Sequence, residues 1–232
     1  MIFEFQFGNY YKSIKEKAQL LCLFFVKKNQ MKVVLSLLLL TLFSCSQADK
    51  KPDNKVVGIQ IYTGFSKDKA KILSQEITKF YKIKTVILPE KPLPKQAFID
   101  IKTPRYRADS LIVIQKRAIS DTLDFVLGLT DKDISVTKYD NKGNIKNPQW
   151  KYNDFGVMGL AYRPGNSGII STFRLKDKDK NLEFTRLKKV VIHEFGHNLG
   201  LPHCPDKQCV MTSAAEKIST IDNEKMELCE SV

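Results

Sequence analysis

Residues 56–62 (VVGIQIY) alternate in polarity and are rich in β-branched side chains, which predicts a first strand. From 67 to 81 the apolar residues Ala70, Ile72, Leu73, Ile77 and Phe80 recur at close to helical spacing, predicting a helix. Residues 85–88 read as a second strand, and the prolines at 89, 92 and 94 mark a loop after it. A second helix is predicted over 108–119, carried by Leu111, Ile112, Ile114 and Ala118, and a short buried strand over 125–129 (FVLGL). The stretch 130–153 is polar, with Asn141, Gly143, Asn144 and Pro148, and reads as a long loop. Residues 156–162 and 169–173 read as two strands joined by RPGNSG, a hairpin signal. A last helix is predicted over 185–198. The order β-α-β-α-β-β-β-α implies a single α/β domain with a mixed twisted sheet. No internal repeat is visible.

The front of the chain reads as an address. Residues 31–45 (MKVVLSLLLLTLFSC) offer Lys32 as a positive start, then an apolar run from Val33 to Phe43. That run is too short to span a bilayer and suits a secretory signal. The end, Leu42-Phe43-Ser44-Cys45, resembles a bacterial lipobox, which implies lipidation of Cys45 and an exported protein held on a bacterial membrane, at the periplasmic side or the cell surface. Residues 1–30 are then an upstream extension, untranslated or disordered, with translation expected to begin at Met31. Residues 31–44 are the signal peptide, 45–55 a polar tether, and 56–232 the folded domain, of ordinary size for one domain.

Composition narrows the classes. Hydrophobic content of 43% and charged content of 27% exclude bulk disorder. Five cysteines in 232 residues exclude a disulfide-dense mini-scaffold. The net charge of +13 comes overwhelmingly from lysine rather than arginine. Arginine is the better bidentate phosphate ligand, and no nucleic-acid motif is present, so a solvated lysine surface is expected and no nucleic-acid partner.

The chemistry is concentrated in residues 193–204, HEFGHNLGLPHC. The chain has only three histidines, and all of them, His193, His197 and His203, fall here. Four helical residues turn about 400° and rise about 6 Å, so His193 and His197 leave one face. Glu194 is offset by about 100° and can reach a water without being a ligand. Gly200 permits a left-handed residue that ends the helix, Pro202 discourages continuation, and the chain returns with His203 as a third nitrogen. Three neutral imidazoles with one open position are the donor set of catalytic zinc. The expected chemistry is hydrolysis with Glu194 as general base.

The pattern HExxHxxGxxH is the metzincin signature. After His203 come Cys204, four residues, Cys209, Val210, Met211, then seventeen residues and Cys229. This resembles the archaemetzincin family, whose pattern continues HC, four residues, CxM, seventeen residues, CxxC. The resemblance implies a metzincin-like domain with an active-site helix and a short C-terminal subdomain. It implies a zinc peptidase, with Met211 in a Met-turn beneath the metal. It also implies a second, structural zinc on four cysteines, but the fourth position is Val232. Cys204, Cys209 and Cys229 are thus one short of a closed site. A terminal carboxylate or water could complete it, two cysteines could pair as a disulfide, or all three could pack as thiols; loss of the second zinc is the expectation for an exported chain.

A peptide or protein substrate is expected to pair along a sheet edge. Residues 156–162, whose glycines allow close approach, are the candidate edge, and 169–173 the other. Trp150, the single tryptophan, lies in the polar stretch and is expected to pack rather than line a subsite. The competing function is a zinc-containing lipoprotein that binds without catalysing; the intact Glu194 argues for the enzyme.

Overall fold

The computed structural model describes residues 55–213 and 217–230. The signal segment, Cys45, the tether up to Asn54 and Val232 lie outside them. In chain order the described residues form β1 (Val56–Tyr62), α1 (Lys67–Tyr81), β2 (Lys84–Lys91), a 3-10 turn (Lys95–Ala97), β3 (Phe98–Asp100), β4 (Pro104–Arg107), α2 (Ala108–Arg117), β5 (Phe125–Thr130), β6 (Ile134–Val136), α3 (Gln149–Tyr152), β7 (Phe155–Val157), β8 (Gly159–Ala161), β9 (Ser167–Ser171), α4 (Lys180–Asn198) and α5 (Ile218–Asn223).

The main sheet is mixed, in the order β2-β1-β5-β9-β8, with β8 antiparallel to β9 and the other pairs parallel. Its central strands are covered on both faces, which is why β5 is buried at every position and reads as a continuous apolar run. Neighbouring residues on β9 point to opposite layers. Ile170 joins the core made with Leu73 and Ile77 of α1 and Leu187, Val191 and Phe195 of α4, whereas Ile169 joins Leu111 and Ile112 of α2. The sheet therefore lies between α1 with α4 on one face and α2 on the other. Ser66 caps α1 by accepting from the Lys69 N–H at 3.3 Å. Asp179 caps α4 by accepting from the Asn181 and Leu182 N–H groups.

Several elements depart from the sequence expectation. β2 runs through Pro89, because it is an edge strand and loses no ladder bond there. α4 starts at Lys180, five residues before the apolar periodicity, since its first turn is polar and held by the Asp179 cap and a Lys180–Glu183 ion pair at 2.9 Å. The polar stretch 130–153 is not one loop: it contributes β6 and α3. With β3, β4 and β7, β6 forms a second four-stranded sheet in the order β3-β4-β6-β7. Strands of three or four residues fall below the length at which alternation can be recognised.

The expected strand 156–162 is two strands in different sheets. Val157 pairs with Ile134 in the small sheet, whereas Gly159 pairs with Ile170 in the main one. The Met158 carbonyl between them accepts from the Ser171 N–H at 2.8 Å. The hairpin forms as β8–β9, but β9 begins at Ser167 and is interior, so the expectation that 169–173 is an edge is corrected. Trp150 does not pack into a core. It is 74% exposed on α3, with the Lys102 ammonium 5.9 Å from its ring centre.

Candidate metal centre and cleft

The last two turns of α4 carry His193, Glu194 and His197. The helix ends in a paired hydrogen-bond motif: the Leu201 N–H donates to Gly196 O at 3.0 Å and the Gly200 N–H to His197 O at 2.9 Å. Gly200 takes φ +99°, the left-handed region that favours glycine, so the chain reverses and returns with His203. The nitrogens of His193, His197 and His203 lie within 4.8 Å of one another, and the Nε2 atoms of His197 and His203 are 3.1 Å apart.

Two carbonyls set the rings. His193 Nδ1 bonds Val210 O and His197 Nδ1 bonds Leu201 O, each at 2.8 Å. Each Nδ1 therefore carries the proton, and each Nε2 keeps its lone pair toward the shared point. Burial pushes the His193 imidazole down to about 4, against the opposing pull of the Val210 carbonyl. His197 and His203 are lowered by burial as well, with Arg163 adding a like-charge contribution at both. All three rings are thus held neutral, the state that ligates a metal. Tetrahedral zinc at about 2.0–2.1 Å from each nitrogen needs nitrogens a little over 3 Å apart, so the residues present fit that ion.

Glu194 sits between this point and β8. A Cβ on Gly159 would lie 2.5 Å from Glu194 Cγ and 2.6 Å from its Oε1, so only glycine leaves the carboxylate its place. Desolvation pushes the Glu194 carboxyl up to about 8; its residual contact with the cleft and any bound cation act against that shift. Met211 is fully buried beneath the helix, where a Cβ on Gly196 would come within 2.6 Å of its Sδ.

Sequence reasoning missed three supports. Tyr81 donates its hydroxyl to Ile192 O at 2.8 Å and ties α1 behind His193. Asn198 Nδ2 donates to Tyr162 O and Ser167 O, both at 3.0 Å, fastening the β8–β9 hairpin to the end of the metal helix. Arg174 is gripped by both Asp133 oxygens at 2.8 Å and lies where a Cβ on Gly156 would fall. None of these has a spacing signal, because each bridges elements far apart in sequence.

The centre opens into a cleft of about 700 Å³. Gly159, Leu160 and Ala161 of β8 form one wall, and β8 is one of the two edge strands of the main sheet, opposite β2. Val190, Ile218, Ile221 and Glu224 line another part.

A second cluster lies behind the return loop. The Sγ atoms of Cys204, Cys209 and Cys229 are within 4.8 Å of one another, with Cys204 and Cys229 in contact at 2.9 Å. The Asp206 N–H donates to Cys204 Sγ and the Cys229 N–H to Cys209 Sγ, each at 3.4 Å. The three cysteines are therefore brought together, as the family resemblance implied.

Comparison with known proteins agrees with this arrangement. Residues 109–232 match the family described as Peptidase family M54. The archaemetzincin of Haloquadratum walsbyi is 32% identical over 158 residues, covering 64% of this chain and 80% of its own length. That of Methanopyrus kandleri is 34% identical over 137 residues, covering 59% and 68%. The crystal structure of the Methanopyrus kandleri archaemetzincin superposes with a TM-score of 0.61 at 25% identity, over 78% of this chain and 92% of that one. The archaemetzincin of Archaeoglobus fulgidus, complexed with malonate, shares the fold with a TM-score of 0.59 at 24% identity, over 76% and 96%.

Proposed function

Because the chain belongs to peptidase family M54, the archaemetzincins, we propose that its cleft hydrolyses peptide bonds with His193, His197 and His203 as zinc ligands and Glu194 as general base. It is a zinc-dependent peptidase of the archaemetzincin type. The observation that carries the residue assignment is the convergence of three neutral imidazoles beside Glu194 and the free edge of β8.

Zinc, when bound, supplies a Lewis acid for the scissile carbonyl and acidifies the attacking water. The chain's own residues do the rest. Val210 O and Leu201 O fix two ligand rings, so little reorganisation is needed. Glu194 takes the water proton and delivers it to the leaving nitrogen; desolvation raises its affinity for that proton, and a bound cation would hold it ionised beforehand. The edge of β8 offers unpaired backbone groups to an extended peptide, and Gly159 lets that backbone approach the carboxylate. Met211, under the metal helix, takes the part of the Met-turn.

We further propose export and lipidation at Cys45, which would confine cleavage to a membrane surface outside the cytoplasm. Labelled palmitate should enter the wild type and not Cys45→Ser. A single zinc is expected per chain, because the thiol cluster has three donors; a zinc-to-protein ratio near two would assign a second ion to Cys204, Cys209 and Cys229.

Paired variants test the mechanism. Glu194→Ala should keep zinc and lose cleavage, and His197→Ala should lose both. Zinc-loaded wild type that cleaves nothing in a broad peptide library would return the chain to the role of a non-catalytic zinc lipoprotein.

A further inference from the structure

Glu224 takes no part in the chemistry above, yet it lines the same cleft as His193 and Glu194. We propose that Glu224 makes part of the cleft a receptor for a substrate lysine or arginine side chain next to the cleaved bond. The proposal rests on the peptidase reading and deepens it.

The surroundings fit a long side chain with a cationic end. Ile218 and Ile221, three residues apart, share one face of α5 and line the cleft with Val190 of α4. Val190 precedes His193 by three residues, about 4.5 Å along the helix, so this slot is one side chain away from the reaction centre. Its apolar walls suit the methylene stem of lysine or arginine, and the carboxylate suits the charged head.

Among the described residues, no hydrogen bond reaches one oxygen of that carboxylate. Glu224 is 4% exposed, and its Oε2 is enclosed without a hydrogen-bond partner. Buried polar atoms are usually satisfied, so this oxygen leaves a hydrogen-bonding position open to a ligand or a water. The Lys189 charge acts on Glu224, but its Nζ donates to three carbonyls, Ile221 O at 2.6 Å, Glu224 O at 2.6 Å and Asp222 O at 3.4 Å. It satisfies those carbonyls and only partly offsets the Glu224 charge. Arg174 in the cleft is committed to Asp133, and Arg163 acts on His197 and His203. Burial pushes the Glu224 carboxyl up to about 8, with the Lys189 charge pulling the other way. An ammonium or guanidinium entering the slot would hold the carboxylate ionised and supply the missing partner.

The test compares peptides that differ only in lysine against norleucine at each position flanking the bond, as free and N-acetylated forms. With zinc-loaded wild type, one position should favour lysine by about tenfold or more in kcat/KM, whether or not the peptide is acetylated. In Glu224→Gln the ratio should fall to within about threefold. An active wild type with no such preference, or an equal preference in Glu224→Gln, overturns the proposal. A preference lost on acetylation also overturns it, because the recognised cation is then the α-amine. Binding of the same peptides to zinc-loaded Glu194→Gln separates the two readings. Lysine selectivity in binding that Glu224→Gln abolishes supports the slot even where wild type cleaves nothing, and such an outcome removes the peptidase reading alone.

Discussion

A group retained for binding rather than folding should weaken the fold, and Glu224 allows this to be measured. Glu224→Gln keeps shape and removes the charge. Well below pH 4.5, the carboxyl is protonated in both the folded and the unfolded chain, and the two variants should be nearly equal in stability. As pH rises above 4.5 the unfolded chain releases the proton, while the folded chain holds it until about pH 8. Wild type therefore loses stability relative to Glu224→Gln across that interval. At about 1.4 kcal/mol per pH unit the ceiling is roughly 5 kcal/mol. Lys189 is already counted in that shift; water entering the cleft reduces the ceiling, and about 2–3 kcal/mol is expected at pH 8. Urea unfolding of both proteins from pH 5 to 8.5, with zinc at equal saturation, isolates the difference because the other titrating groups cancel. A variant less stable than wild type at pH 8, or a difference that does not change with pH, would refute the reasoning and make Glu224 a structural carboxylate.

Three other substitutions probe the centre. Gly159→Ala places a Cβ 2.5 Å from Glu194 Cγ, so zinc content should stay near one per chain while kcat falls at least about tenfold; unchanged kcat would show that Glu194 has room to move. Gly196→Ala presses on Met211 Sδ at 2.6 Å and the Tyr81 hydroxyl at 2.8 Å, and should cost about 1–3 kcal/mol in urea unfolding. Cys229→Ser should weaken catalytic-zinc affinity by about tenfold in chelator competition, through the loop that carries Val210; an unchanged affinity would sever that link.

The legible parts of this chain are those whose signal is local. Histidines four apart, Glu194 beside the first and Gly200 at the helix end announce a metal helix and its reversal, because helical geometry converts spacing directly into a shared face. β1, α1 and β5 are legible for the same reason, each being long enough to show its period. What could not be read is what depends on pairing at a distance. The small sheet is built from strands of three or four residues, of which only β6 lies in the polar stretch 130–153. An apolar cluster around Ile134 is joined there by buried charge: Arg105 approaches Asp133 at 3.3 Å and Asp154 at 3.5 Å, and Arg174 grips Asp133. The ion network draws its members from four separate segments, so a hydropathy reading of any one of them takes its charge for solvated loop. The step of the chain from one sheet to the other at Met158 is equally hidden, since β7 and β8 are continuous in sequence.

The same distance dependence explains why the centre needs more than its motif. The helix alone fixes where His193 and His197 begin, but the carbonyls that orient their rings come from later segments, Val210 and Leu201. Leu201 is placed by the helix-ending motif, within a few residues of its ring. Val210 is not: its segment is tied to the return loop by the Cys204 N–H donating to Met211 O at 2.8 Å, and to the C-terminal segment by the Val210 N–H donating to Glu227 O at 2.9 Å. Cys204, Cys209 and Cys229 stand on those same three stretches and bring their sulfurs together. A metal ion or a covalent bond joining these thiols would therefore tighten the frame that aims His193. Glu224, three residues before Glu227, is carried on that frame too. A centre that seems complete within residues 193–203 thus takes both its ring orientation and its proposed selectivity from the last part of the chain, where sequence spacing alone conveys neither.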